Sequence, residues 1–224
     1  MISKHLTKVL LAAVSTGALL LATGPVAYAN ESTGAPSATA IESPSPSANP
    51  SKPVIAQYNG RQINLAEDEN WGGVSSCTEL PGGEVHCYDT NEEALADPAL
   101  PASIRQATLK AAASLTSPPP RGCIEDYWCL FENPNYAGRV LRFSSDGKHD
   151  LGEWGFRDKL SSVYYQVLRW PTNYGIARLW DYRSWPLHDR QRDLISHRHP
   201  SMANLDYPDG GNWNDKVDSF EVRR

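Results

Sequence analysis

Apolar and polar residues alternate most clearly over Ser161-Ser162-Val163-Tyr164-Tyr165-Gln166-Val167, which sets Val163, Tyr165 and Val167 on one face of a strand. Shorter runs at 127–132, 138–143, 176–181 and 217–222 also read as strands, divided by Pro, Asn, Asp and Gly turns. Short strands at such spacing predict a sandwich over 121–224, and no long amphipathic helix competes there. The pattern is different before residue 120. Cys77 to Cys87 reads as a hairpin folded about Pro81-Gly82-Gly83, with Leu80 opposite Glu84 and Cys77 opposite Cys87, close enough for a disulfide. Thr90 and Glu93 form a capping box that predicts a short helix ending near Asp97-Pro98. A second helix is expected from Ala102 to Ser114, stopped by Pro118-Pro119-Pro120. The triple proline predicts a boundary and makes 54–120 an appendage of hairpin and helices.

The apolar run Val9 to Leu21 follows Lys4, His5 and Lys8 and is too short to span a bilayer. With the small-residue pattern Ala27-Tyr28-Ala29 it predicts a signal peptide over 1–29, cleaved before Asn30, and hence export. Residues 30–53 are nearly all Ser, Thr, Ala, Pro, Gly and Asn, so little apolar burial offsets the entropy of ordering them. A disordered linker is expected, or a removable pro-segment. The oxidising export route permits disulfides. Four cysteines allow three pairings, of which local spacing favours Cys77–Cys87 and Cys123–Cys129.

Charge removes two classes of partner. The chain carries a formal −5, residues 54–120 being acidic and 121–224 neutral. With no broad cationic field to neutralise phosphates, nucleic acid and anionic membrane surfaces drop out. Six of seven Trp and all four Phe lie beyond residue 120, which locates the main core.

Within that half a pattern occurs twice. The first copy has Phe131-x4-Tyr136-x-Gly138 and then Arg157-Asp158-Lys159-Leu160-Ser161-Ser162. The second has Trp180-x4-Trp185-x-Leu187 and then Asn214-Asp215-Lys216-Val217-Asp218-Ser219. These residues resemble the βγ-crystallin superfamily, whose Greek-key motif joins an aromatic-x4-aromatic-x-Gly hairpin to an Asn/Asp-rich corner. Cys123-x5-Cys129, the hairpin after it and Asp158-Lys159-x-Ser161-Ser162 resemble more specifically the actinobacterial peptidase inhibitor I36 family. The resemblance covers about the last 100 residues. It implies an all-β, two-motif Greek-key sandwich behind a small α+β N-terminal appendage. It also implies a secreted inhibitor that places a loop in the cleft of an extracellular metallopeptidase. In the inhibitory prototype that loop is stapled by a second disulfide, but no cysteine follows Cys129 here, so the loop is left unassigned within 187–207.

The superfamily also implies calcium, held by side-chain oxygens of the corner and by backbone carbonyls. The matching positions are Asp158 and Ser161 in copy one and Asn214, Asp215 and Asp218 in copy two. Arg157 in the first acidic position weakens copy one. The same residues equally suit turn capping and corner hydrogen bonds. His188, His197 and His199 lack the flanking ligands of a zinc site. Trp180, Trp185 and Trp213 suit either a sugar-binding platform or core packing. Asp181, Asp189 and Glu153 have no triad or paired catalytic motif beside them, so no enzyme is expected. The leading expectation is a secreted, monomeric peptidase inhibitor with no required cofactor. The alternatives are a calcium-binding module of structural or cell-envelope role and a polysaccharide-binding domain.

Overall fold

The computed structural model describes residues 52–67, 71–113, 118–165, 176–184 and 186–223. The expected signal peptide, most of the linker and Trp185 lie outside them.

The first repeat folds as expected. β5 (Trp128–Asn133) and β6 (Ala137–Phe143) form an antiparallel hairpin, and β8 (Ser162–Tyr165) adds beside β5. The strand between them in sequence, β7 (Gly147–Asp150), leaves this sheet and joins the other one. In the second repeat β9 (Ile176–Asp181) lies between β10 (Arg190–Leu194) and β12 (Ser219–Arg223) and pairs with both. Its short β11 (Arg198–His199) crosses to pair with β8 of the first sheet. Each repeat therefore lends one strand to the sheet of its neighbour, the exchange that makes the pair a Greek-key sandwich.

Between the sheets lie Trp128, Leu130, Leu141 and Phe143 from one side and Ala177, Leu179, Phe220 and Val222 from the other, all buried. Trp128 stacks on Tyr165, with centroids 4.4 Å apart, and meets Phe220 edge-on at 5.5 Å.

Residues 54–113 continue the same sheet. β3 (Ser76–Glu79) runs parallel to β6, with Cys77 level with Leu141. β4 (Val85–Tyr88) pairs with β3, and β1 (Ile55–Tyr58) and β2 (Arg61–Asn64) complete an order β11-β8-β5-β6-β3-β4-β1-β2. Asn59 and Gly60 both take positive φ, 49° and 73°, as a two-residue turn of type I′ requires. The helices are α1 (Asn91–Ala96), with the expected Thr90–Glu93 capping box, and α2 (Ala102–Ala112).

The segment predicted as an appendage is thus tied to the sandwich by strand pairing and by a shared core. Leu65, Trp71 and Val74 belong to the same buried cluster as Trp128 and Phe156. Trp71 donates to the Leu65 carbonyl at 3.0 Å, and Arg139 of β6 covers its ring at 4.7 Å. A β-carbon on Gly155, whose φ is 61°, would stand 2.1 Å from the Leu65 carbonyl oxygen, so only glycine permits this seating. On the opposite face of the large sheet, Leu100, Cys123, Ile124, Tyr127, Phe131 and Val140 form a second core. Buried Arg142 fastens it, donating to Gly122 O, to Asn91 Oδ1 and, at 3.0 Å, to Thr78 Oγ1.

Both expected disulfides are formed. Cys77–Cys87 crosses the β3–β4 hairpin, and Cys123–Cys129 closes the entry to β5.

Candidate functional site

The two corners built by the repeats face each other. Asp158 and Asp215 adopt matching left-handed conformations, φ 55° and 53°. The Asp158 N–H donates to Val217 O at 3.2 Å, and the Asp215 N–H donates to Leu160 O at 3.2 Å. Each corner is therefore pinned by the backbone two residues beyond the other.

The side chains at these corners are less symmetric. Ser161 donates to Asp215 Oδ1 at 3.1 Å, and Asn214 donates to Asp215 Oδ2 at 2.6 Å. Asp218, which holds the position of Ser161 in copy two, accepts the Tyr182 N–H on Oδ2 and meets Arg157 Nε with Oδ1 at 3.2 Å. Arg157 also reaches Asp150 at 2.9 Å. Burial pushes the Asp218 carboxyl up to about 6, Asp158 and Asp181 adding to the effect and Tyr182 N–H and Arg157 opposing it. Burial and nearby Asp181 raise the Asp158 carboxyl as well. Tyr207 donates to Asp181, and its own hydroxyl is pushed up to about 12 by burial and that bond. Among the described residues no group of three or more His, Cys, Asp or Glu is placed to hold a metal ion.

The aromatic positions of the first motif do what that motif needs. Phe131 and Tyr136 meet edge-on at 5.6 Å across the turn, where Asn135 and Tyr136 have φ of 58° and 61°. Gly138 has φ 77°, and a β-carbon there would lie 2.6 Å from Asn133 Nδ2. Ser162 closes the corner by accepting the Tyr136 N–H at 3.0 Å and donating to Asn133 O at 2.7 Å. In copy two Ser219 makes one such bond, to His149 O at 2.9 Å.

The three tryptophans do not assemble a platform among the described residues. Trp213 is buried in the core, Trp185 lies outside the described residues, and Trp180 is half-buried. Its ring carries Lys148 Nζ at 4.0 Å, and its N–H is taken by Glu221 at 3.1 Å. His199 donates to Ser196 O at 3.0 Å, and burial lowers it, as burial and then Arg198 lower His197. Asp189 accepts the Arg183 N–H at 2.9 Å, a turn-forming bond.

Two exposed aliphatic side chains lie in the second repeat, between β9 and β11. Arg183 and Arg190 both clasp Asp209, the latter at 2.6 Å, and Leu187 N–H donates to Ser184 O at 3.0 Å. Leu187 is half exposed, and Ile195, which follows β10, is almost wholly so. Sequence reasoning left the loop unassigned within 187–207, naming Leu187 only as a motif position and Ile195 not at all. An isolated isoleucine at the end of a charged strand carries no periodic signal.

Residues 116–186 match the model of peptidase inhibitor family I36, which supports a peptidase-inhibitor role at the level of the family. No curated protein matches the chain. Among solved structures it is similar to a βγ-crystallin from Ciona intestinalis, at 19% identity over 44% of this chain and 99% of that one, with a TM-score of 0.30. A double mutant of a βγ-crystallin domain from Clostridium beijerinckii is similar at 15% identity over 43% of this chain and 96% of that one, TM-score 0.29. The N-terminal domain of protein S is similar at 16% identity over 43% of this chain and 93% of that one, TM-score 0.30.

Proposed function

We propose that this protein is an exported inhibitor of extracellular metallopeptidases that fills the active-site cleft with a rigid loop and performs no chemistry of its own. The observation that carries the reading is the family match over 116–186, which takes in the first repeat and enters the β9–β10 connection. Two disulfides and an apolar run with a small-residue cleavage pattern at residues 9–29 accord with export. An inhibitor of this kind needs a segment ordered before it binds, because ordering it at the interface weakens association. The ion pairs on Asp209 and the sheet hydrogen bonds on both flanks of the second-repeat loops supply that order without a staple. The test is a titration of the purified chain into several secreted peptidases at fixed calcium, following hydrolysis of a short chromogenic peptide. Loss of metallopeptidase activity in proportion to added protein is expected. Full activity at large excess of folded protein, across such enzymes, would remove the reading.

A second reading, a calcium-binding module with a structural or envelope role, draws on the electrostatics of the paired corners. Asp158 and Asp218 are both raised by burial and by neighbouring carboxylates, a strain that a cation relieves. Asp158, Asp215 and the hydroxyl of Ser161 would hold the ion, together with backbone carbonyls. Binding would have to displace existing partners, Ser161 and Asn214 on the two oxygens of Asp215 and, at Asp218, Arg157 and the Tyr182 N–H. A calcium-dependent rise in Tm without peptidase binding would place this reading first.

A further inference from the structure

Ile195 has 88% of its surface exposed, far more than Leu109 at 55%, Leu187 at 52% or Ile55 at 48%. A lone surface aliphatic is ordinary. This one differs in how it is held. Leu194 before it is 1% exposed and packs in the sandwich core, and it makes the last β10 pair, opposite Ala177. Three residues later the chain enters the other sheet, Arg198 pairing with Tyr164 and His199 with Val163.

The short connection is hydrogen-bonded at Ser196 and His197. His197 O accepts the Tyr165 N–H at 2.9 Å, Ser196 Oγ accepts the Arg198 N–H at 3.3 Å, and Ser196 O accepts from the His199 ring at 3.0 Å. The Arg198 guanidinium donates to Tyr164 Oη at 3.2 Å. Residues 195–197 therefore span the two sheets with both ends paired in different layers, and the apolar side chain is presented to solvent between them. Ile176, 43% exposed, stands one residue beyond the last β9–β10 pair and widens the apolar tip.

We propose that Ile195 is the anchor residue of the inhibitory contact, entering a peptidase pocket that accepts a branched aliphatic side chain, with 194–198 as the preorganised segment around it. This rests on the inhibitor reading given above. A branched hydrocarbon has nothing to offer a sugar or a phosphate. It gains affinity where a pocket desolvates it completely, the environment that concentrates binding energy in a few residues.

The test compares the full chain with Ile195→Asp, Ile195→Val and Leu109→Asp as inhibitors of a thermolysin-class metallopeptidase, with trypsin as a peptidase of basic preference. Thermal melts accompany each protein. Ile195→Asp is expected to weaken inhibition at least about thirtyfold, the loss typical of a central anchor. Ile195→Val, which removes one methylene, should stay within about fivefold of wild type. Leu109→Asp, at an exposed position of α2, should inhibit like wild type, trypsin should be unaffected, and all the melts should coincide. If wild type inhibits and Ile195→Asp inhibits equally, the anchor is elsewhere and this inference alone falls. If folded wild type inhibits none of the metallopeptidases tried, the inhibitor reading fails and the anchor with it.

Discussion

The two repeats share a strand plan but not a means of support. The first is covered on both faces of its sheet: the sandwich core lies on one side, and Leu100, Ile124 and Tyr127 with the Cys123–Cys129 bridge lie on the other. It is also extended sideways by β3, β4, β1 and β2. The second repeat forms only a four-stranded sheet, β10-β9-β12-β7, whose outer face is Arg178, Trp180, Glu221, Lys148 and Asp193 joined by ion pairs and cation–π contacts. Surface pairs of this kind contribute about 0–1 kcal/mol each, far less than a buried aromatic. Stability is therefore concentrated in the first repeat and its N-terminal extension. The second repeat carries the exposed apolar tip.

The largest break in this asymmetry is removal of the extension. A 121–224 fragment should lose its cooperative melt and its near-ultraviolet circular dichroism, because the β6 edge and the surface under Trp71 become solvated. A cooperative melt near that of the full chain would contradict the shared core. Within the full chain, Trp71→Ala should cost about 3–5 kcal/mol in denaturant unfolding, the range for buried Trp or Phe truncation.

A finer test compares the corner serines. Ser162→Ala leaves the Tyr136 N–H without its acceptor, a loss of about 1–3 kcal/mol, whereas Ser219→Ala removes only a donor to His149 O and should cost about 1 kcal/mol. Equal losses would show that the two corners are not differently built.

Asp218 gives the second-repeat corner a pH signature, in the same direction as that of Asp158 in the first. The Asp218 folded-state value of about 6 exceeds the ordinary carboxyl value, so the folded chain holds this proton more tightly than the unfolded chain does. Stability from this group is complete below the ordinary value of about 4 and falls as pH rises to about 6. Asp218→Asn should flatten that part of the Tm profile, and an unchanged slope would assign it to other groups. The smallest effect is at the tip: Ile195→Asp, being solvent-exposed, should leave stability within about 0.5 kcal/mol of wild type.

Much of the first repeat and of the N-terminal extension was legible in the sequence because their signals are local. Aromatic spacing at Phe131 and Tyr136, the opposed Cys77 and Cys87, and the Thr90–Glu93 box each specify a nearby geometry that the chain adopts. The Asn59-Gly60 turn was equally readable and marks the β1–β2 hairpin, which the strand pattern alone did not suggest. The parallel pairing of β3 with β6 was not legible, since its partners lie some sixty residues apart and no local rule couples them. β10 was hidden for another reason. Arg190-Gln191-Arg192-Asp193-Leu194 is an edge strand whose single buried residue, Leu194, gives no alternation to detect. The tip at Ile195 inherits that silence, because its exposure is a property of the two sheets that fix its neighbours.

The central claim is that a preorganised loop of the second repeat fills a metallopeptidase cleft. Its most direct test is competition: binding of the full chain to a thermolysin-class enzyme, measured by calorimetry with the cleft empty and with it occupied by a small zinc-directed peptide inhibitor. The account predicts a one-to-one complex with the free enzyme and none with the occupied enzyme. Undiminished binding to the occupied enzyme, or no complex with the free one, would contradict it.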